Sequence, residues 1–168
     1  MIACIDVGYR EESARAACVT FDDWEDAQPN GEHVLDIEKV EPYVPGQFYR
    51  RELPCLLAIL DELPTTPDVI VIDGYGSLDE QGRKGLGGHL HEALDEKIPV
   101  IGVAKTRFAT ATNAVEILRG TSDRPLLITS TGISQNQAAD CIRQMHGPNR
   151  IPTLLKHVDQ LSRTDGVI

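Results

Sequence analysis

The sequence predicts an α/β domain built on a mixed β-sheet with helices on both faces. Residues 1–40 contain three apolar or alternating segments on short connections and no helical pattern, which is typical of an antiparallel meander. Beyond residue 45, segments with helical spacing alternate with continuous apolar segments typical of strands buried on both faces. The chain has 168 residues, which is the size of one domain, and we expect residues 1–168 to form it.

The first three strands are predicted from short apolar or alternating segments. Residues 2–5 form an apolar strand that ends at Asp6, and residues 14–21 form a second apolar strand. The acidic stretch 22–31 contains proline, asparagine and glycine, and it predicts a long hairpin loop. Residues 33–40 then alternate as a third strand. Their short connections favour antiparallel pairing of all three.

The remaining elements alternate between helix and strand. Leucines at i, i+3, i+4 and i+7 predict a helix over residues 53–60, with Pro54 in its first turn. Right-handed crossovers would place the first strand beside the strand at residues 68–73 and parallel to it. The later strands and helices are predicted at residues 86–94 (helix), 99–104 (strand), 126–129 (strand), 135–146 (helix) and 153–162 (helix). This order fits a ribonuclease H-like sheet, with three antiparallel strands and then parallel strands, better than a flavodoxin-type sheet.

The charge balance restricts the partners of this protein. It has 16 basic and 26 acidic residues, a formal net charge of −10 that repels polyanions at long range. A nucleic-acid-binding surface would therefore need a local basic patch or a divalent cation. No apolar segment approaches the ~20 residues that span a bilayer, and no signal-peptide pattern is present. We therefore expect a cytoplasmic protein that has no membrane partner.

Two strands that are predicted to be neighbours both lead into an aspartate, Asp6 and Asp73, with a glycine close behind. Ligands of open α/β sheets bind at the carboxyl ends of the strands. Two adjacent carboxylates repel each other, and a hard cation such as Mg²⁺ or Mn²⁺ removes that cost. The pattern therefore indicates a metal site, and the alternative is that each aspartate simply forms a turn.

Other charged and aromatic residues lie near the same predicted edge. Glu52 precedes the first helix and either joins the carboxylates or only stabilises the helix dipole. Lys105 follows the strand at 99–104 and is either a phosphate-binding cation or a solvated loop lysine. Tyr43 lies in a stiff, proline-rich loop, where it either stacks on nucleotide bases or anchors the loop. Arg50 and Arg51 beside it form a local basic patch.

Five segments of the chain form an ordered set of motifs: residues 6–9 (DVGY), 42–46 (PYVPG), 49–54 (YRRELP), 71–76 (VIDGYG) and 101–105 (IGVAK). In this order and at this spacing they resemble the endonuclease V family, and the resemblance extends to residues 131–132 (TG) and 150–152 (RIP). That family has a ribonuclease H-like fold and uses Mg²⁺ to nick DNA, or in some members RNA, near the deaminated adenine hypoxanthine.

The resemblance implies a catalytic centre at matching positions of this chain. Asp6 and Asp73 would bind Mg²⁺, with Mn²⁺ as a possible substitute, and Glu52 would complete the acidic cluster. Lys105 would face the cleaved phosphate. The reaction would be metal-assisted hydrolysis of a phosphodiester, in which the ion activates water and stabilises the developing charge.

The resemblance also implies how the nucleic acid is held. Tyr43 would belong to a wedge that separates the strands beside the lesion. Gly74 and Gly76 would approach the displaced base through their backbone. The partner would be DNA or RNA with deaminated adenine, and we expect the protein to act as a monomer. The residues assigned to nucleic-acid binding are Tyr43, Pro45, Arg50, Arg51, Gly74 and Gly76.

The chain departs from the family at a residue that we expect near the metal. Ile133 follows Thr131-Gly132, where relatives commonly have a histidine, and losing that group would slow acid–base catalysis by about 10²–10⁴-fold if nothing replaced it. One alternative is therefore a relative that binds nucleic acid or nucleotide with weak or no cleavage. Another is one lobe of an actin- or sugar-kinase-like ATP-binding fold, because two Asp-Gly turns flank a hairpin.

Overall fold

One mixed β-sheet forms the centre of the protein in a computed structural model, which describes residues 1–42, 44–45, 47, 49–109 and 113–163. Helices lie on both faces of the sheet. In chain order the elements are β1 (Ile2–Tyr9), β2 (Ala14–Phe21), β3 (Gly31–Ile37), α1 (Tyr49–Leu60), β4 (Val69–Asp73), α2 (Leu86–Ala93), β5 (Val100–Ala104), β6 (Val115–Ile117), β7 (Leu126–Thr131), α3 (Gln135–Gln144) and α4 (Thr153–Arg163).

The strand order of the sheet is β3-β2-β1-β4-β5-β7-β6. Strands β1, β2 and β3 form an antiparallel meander, while β1, β4 and β5 run parallel. The predicted position of β1, beside β4 and parallel to it, is confirmed. Strands β7 and β6 return antiparallel beyond β5, so the parallel part of the sheet is limited to three strands. The ribonuclease H-like mixed sheet that the sequence predicts is therefore the fold.

Three predicted boundaries differ from the structure by three or four residues. Strand β1 does not end before Asp6 but continues to Tyr9, since β2 pairs with it along that whole length. Strand β3 ends at Ile37 rather than residue 40, where its pairing with β2 ends. Helix α1 begins at Tyr49 rather than residue 53, so Pro54 lies inside the helix.

The short strand β6 was not predicted from the sequence. It has three residues and pairs only with β7, at the edge of the sheet. A segment this short carries too little periodicity to distinguish a strand from a loop. Among the described residues, none of the helices is long and apolar enough to cross a membrane.

Each face of the sheet has its own hydrophobic core. Successive side chains of a strand point to opposite faces, so Cys4 packs with helices α3 and α4 whereas Ile5 packs with α1 and α2. Strand β4 follows the same rule, with Val71 on the α3–α4 face and Ile72 on the α1–α2 face. This alternation therefore determines whether a side chain at the end of a strand faces the α1–α2 pair or the α3–α4 pair.

Gly8 allows helix α4 to lie directly against β1. A Cβ atom at this position would lie 2.3 Å from the carbonyl oxygen of Ser162, near the end of α4. That distance is far below a van der Waals contact, and the obstacle is backbone that cannot rotate away. The close approach brings the last two turns of α4 to the part of β1 that contains Asp6.

We expect Gly8→Ala to destabilise the fold by about 1–3 kcal/mol, because the added methyl group forces α4 away from β1. The measurement is the free energy of unfolding from urea titration followed by circular dichroism. An unchanged unfolding midpoint would show that α4 does not need this close contact.

Candidate active site

Asp6 and Asp73 stand side by side on neighbouring parallel strands. The last paired residues of β1 and β4 are Ile5 and Ile72, and the two aspartates follow them directly. Parallel strands lie about 4.8 Å apart. Because side chains alternate along β1 and β4, both aspartates point to the α3–α4 face of the sheet. The structure therefore brings these two predicted site residues together, although Asp6 lies within β1 rather than at its end.

Glu52 approaches the same place from the opposite face of the sheet. It lies in the first turn of α1 and only 6% of its surface is exposed. Burial raises the pKa of Glu52 to about 8, and the nearby charges of Asp6 and Asp73 act in the same direction. The neighbouring Arg51 cation opposes the shift only in part. At neutral pH without a metal, Glu52 therefore holds its proton.

Asp159 is a fourth carboxyl group at this site, and the sequence reasoning missed it. It lies on α4, shares a hydrogen bond with Asp6, and accepts a hydrogen bond from Arg163 Nε at 2.9 Å. The pKa of Asp6 is raised to about 7, chiefly by burial, and the hydrogen bond to Asp159 and the charge of Asp73 act in the same direction. The only sequence signal was an acidic residue next to Val158 on the apolar face of the predicted helix.

Lys105 follows β5 and places its ammonium group at the same edge. Its Nζ lies 3.3 Å from Asp73 Oδ2. Its backbone is fixed by Arg150, whose Nη2 donates hydrogen bonds to the carbonyl oxygens of Lys105 at 2.7 Å and Pro125 at 2.9 Å. The predicted position of Lys105 beside the carboxylates is therefore observed.

The four carboxyl groups border an open cleft of about 540 Å³. Among the described residues, no set of three or more His, Cys, Asp and Glu side chains is arranged to coordinate a metal ion by itself. Mg²⁺ commonly binds through one or two carboxylates, with water and substrate phosphate completing its octahedron. The adjacent Asp6 and Asp73 provide that donor set, and their all-oxygen chemistry suits Mg²⁺ or Mn²⁺. The crowding that raises the pKa values of Asp6 and Glu52 is the cost that a cation would remove.

Without metal, we expect the protein to become less stable as the pH rises from about 4 to about 8. In this range the folded state binds more protons than the unfolded state, because Asp6 and Glu52 titrate near 7 and 8 when folded but near 4 when unfolded. The melting temperature in EDTA should therefore be several degrees lower at pH 8 than at pH 5. Adding Mg²⁺ should raise the melting temperature by a larger amount at pH 8 than at pH 5. The double variant Asp6→Asn, Glu52→Gln should show a flatter profile. If the melting temperature of the wild-type protein and that of the double variant depended on pH in the same way, the repulsion among these carboxyl groups would be contradicted.

A second, more apolar cavity of about 540 Å³ lies on the other side of Glu52 and Asp73, which line both cavities. Gly74 borders it with φ of +134°, and a Cβ atom there would meet nothing within 4 Å. The rings of Tyr49 and His89 stack at its wall with centroids 3.7 Å apart. The volume and the largely apolar walls are those of a small-molecule pocket. The other lining residues are Gln47, Tyr75, Leu78, Arg83, Lys84, Gly85, Leu86 and Phe108.

The predicted backbone contact from Gly76 is not available. Its N–H donates to Thr129 Oγ1 at 2.7 Å, and its carbonyl oxygen accepts hydrogen bonds from the N–H groups of Gly85 and Gly88. Both polar groups of Gly76 are therefore used inside the protein. Of the two predicted glycines, Gly74 alone borders the apolar cavity.

The structure describes three of the four residues that were predicted to form the wedge and the basic patch. Pro45 is in an exposed turn between β3 and α1, and Arg50 is exposed at the start of α1. Arg51 is half-buried, with its guanidinium carbon 4.0 Å from the centroid of the Tyr9 ring. Tyr43 lies outside the residues that the structure describes, so its wedge role stays a prediction.

Ile133 does not lie near the carboxylates, so the expectation that it replaces a group at the metal was wrong. Strand β7 runs antiparallel to β5, with Thr131 opposite Val100 at the start of β5, whereas Asp73 is opposite Val103 near the end of β5. The loop that contains Ile133 is therefore at the other end of the strands. Ile133 packs against the α3–α4 core, and its carbonyl oxygen accepts a hydrogen bond from Ser130 Oγ.

Comparison with known proteins identifies relatives of this chain. The family model for endonuclease V matches residues 1–151. Endonuclease V of Xanthomonas campestris pv. campestris (strain B100) is 40% identical over 111 residues, which cover 65% of this chain and 45% of that protein. The chain thus spans less than half the length of this relative. Endonuclease V of Thermococcus kodakarensis is 31% identical over 170 residues, covering 96% of this chain and 77% of that protein.

Solved structures show the same fold. The endonuclease V structure from Streptomyces avermitilis has 26% identity and a TM-score of 0.71, and covers 96% of this chain and 79% of its own. Endonuclease V of Ciona intestinalis, in complex with a 24mer DNA containing an inosine followed by a ribo-adenosine, has 19% identity, a TM-score of 0.81 and coverage of 96% and 83%. With the family model matched over residues 1–151, the conclusion is that this chain belongs to the endonuclease V family.

Proposed function

We propose that residues 1–168 form one endonuclease V-like domain that hydrolyses a phosphodiester near a deaminated adenine in DNA or RNA, with Mg²⁺ or Mn²⁺ as cofactor. The observation that carries the proposal is the meeting of Asp6, Glu52, Asp73 and Asp159 at a cleft that adjoins an apolar cavity. A cluster of mutually repelling carboxyl groups is costly to the fold, and a cation with a bound phosphate would offset that cost.

Each residue of the cluster has a distinct part in the proposed reaction. Asp6 and Asp73 would hold the ion, and Asp159 would keep Asp6 in place through their hydrogen bond. When bound there, the ion would supply an activated water and stabilise negative charge on the phosphate. Lys105, next to Asp73, would neutralise a phosphate oxygen at the cleft.

Glu52 would complete the acidic cluster beside Asp6 and Asp73. Burial and the charges of those two aspartates raise its pKa when no metal is bound, and a cation held at the cluster would offset that repulsion. Its position between the two cavities lets its carboxyl group reach the acidic cleft while α1 also borders the apolar cavity.

The apolar cavity would receive the displaced base. Enzymes that read a damaged base extrude it from the helix into a pocket with aromatic and apolar walls. Here the rings of Tyr49, Tyr75 and Phe108 provide such walls, and Gly74 leaves room for a base to approach the backbone. Glu52 and Asp73 separate this cavity from the cleft, so a base and a phosphate of the same strand could occupy both cavities together.

The test uses a 5′-labelled oligonucleotide with a single inosine and a matched control with adenosine at that position. We expect a single cut in the inosine strand with Mn²⁺ or Mg²⁺, and none in EDTA or in the adenosine control. DNA and RNA versions distinguish the two substrate classes. Metal-dependent binding to inosine strands without any cut would favour the non-cleaving relative, and indifference to all these strands would exclude both functions.

A further inference from the structure

The side chain of Arg51 stacks on the aromatic ring of Tyr9. Tyr9 is the last residue of β1, and its side chain is on the face of the sheet that packs against α1. Arg51 lies in the first turn of that helix. The guanidinium carbon of Arg51 is 4.0 Å from the centroid of the Tyr9 ring. At about 3.3 Å per residue, Tyr9 is roughly 10 Å beyond Asp6 along the strand. Tyr9 also lines the acidic cleft, together with Asp6.

The guanidinium group of Arg51 has capacity for a further ligand. Its Nε is buried and has no hydrogen-bond partner among the described residues. Two other cations near the acidic cluster are engaged with carboxylates, Lys105 with Asp73 and Arg163 with Asp159. A buried donor without a partner is costly. Arg51 as a whole is only half-buried, so an acceptor that reaches the guanidinium group from the solvent would offset part of that cost.

The chemistry of the Tyr9–Arg51 pair fits a phosphate diester. A planar guanidinium presents a fork of N–H donors that matches two phosphate oxygens, which an ammonium group cannot reproduce. Stacking on an aromatic ring restricts the long arginine side chain, so less conformational entropy is lost when the phosphate binds. The ring adds a further attraction for the cation.

We propose that Tyr9 is a positioning residue that holds Arg51 flat so that its guanidinium binds a backbone phosphate adjacent to the one at the acidic cluster. This rests on the proposed function, because it assigns a second phosphate of the same nucleic-acid strand. Lys105, directly after β5, and the Tyr9–Arg51 pair on β1 and α1 lie on opposite sides of Asp73. The strand would therefore cross the cluster between two cationic groups.

The experiment measures equilibrium binding of a single-stranded inosine oligonucleotide in EDTA at several NaCl concentrations, where no cleavage occurs. We expect Tyr9→Leu to weaken binding about tenfold and to lower the steepness of log K against log[salt] by up to ~0.7, the value for one phosphate contact. Tyr9→Phe, which keeps the ring, should restore both. Arg51→Lys keeps the positive charge but lacks the planar guanidinium group, so it should behave like Tyr9→Leu.

A double-mutant cycle separates positioning from simple support of the fold. In an Arg51→Ala background, Tyr9→Leu should cause no further loss of affinity. An equal loss in both backgrounds, or an unchanged salt dependence in Tyr9→Leu, would overturn the proposal while leaving the proposed function intact. If the wild-type chain neither binds nor cuts inosine strands, the proposed function fails and the assignment of Tyr9 fails with it. Melting temperatures of all variants show whether each remains folded.

Discussion

Replacing Asp73 by asparagine should lower metal-dependent cleavage by about 10³-fold or more while making the metal-free protein more stable. The amide is a weaker ligand for a hard cation, so the charge that develops on the phosphate loses its main stabilisation. It also removes one of the charges that raise the pKa values of Asp6 and Glu52, so the folded state suffers less repulsion. The measurements are single-turnover cleavage of the inosine strand and the melting temperature in EDTA and in Mg²⁺.

Asp68→Asn is the matched control. Asp68 precedes the same strand at its opposite end, where it forms an exposed ion pair with the amino terminus. Such a pair contributes little to stability, and its distance from the cleft predicts unchanged cleavage. An Asp73→Asn protein that still cuts at the wild-type rate, or whose Mg²⁺-dependent rise in melting temperature is unchanged, would contradict a metal site at this aspartate.

Asp159→Asn should lower cleavage by about 10²–10³-fold with the fold retained. Asparagine can still form a hydrogen bond with Asp6, but it brings no negative charge to the cluster. The concentration of Mn²⁺ that gives half-maximal cleavage should therefore rise. The measurement is the cleavage rate as a function of Mn²⁺ concentration, together with the melting temperature.

Asp140→Asn provides the comparison for Asp159. Asp140 lies on helix α3 and accepts a hydrogen bond from Arg143 on the same helix, much as Asp159 does from Arg163. Its carboxylate is exposed and lies outside the acidic cleft. Loss of cleavage in both variants would point to a general effect of helix ion pairs, whereas loss in Asp159→Asn alone supports its place in the cluster.

The residues of the site that could be predicted are those next to strongly apolar strands. Asp73 is the last residue of β4 and Lys105 directly follows β5, and the continuous apolar residues of the two strands identify them as buried. Asp6 was placed correctly beside Asp73, but it was predicted to end its strand. In the structure β1 continues past Asp6 in a hairpin with β2. A local pattern locates a strand well, but the length of that strand depends on its partner.

Asp159 and Ile133 show what local patterns could not provide. The position of Asp159 depends on α4 crossing β1, a contact between distant segments that the absence of a side chain at Gly8 permits. Ile133 was misplaced because its position was taken from the resemblance to the family, and the short apolar segment of β7 does not reveal the direction of that strand in the sheet. Once β7 is seen to run antiparallel to β5, its loop belongs to the other end of the strands. The acidic cluster and the family relationship do not depend on that loop.

Because Glu52 and Asp73 line both cavities, a ligand in one cavity would change the surroundings of carboxyl groups that also face the other. A flat heterocycle in the apolar cavity would displace water from these carboxyl groups, and the lower local dielectric would strengthen their attraction for a cation in the cleft. Thermodynamic reciprocity then requires the cation to tighten the heterocycle by the same factor. Discrimination between bases would in this way be transmitted directly to the affinity of the reaction centre, without any moving part of the fold.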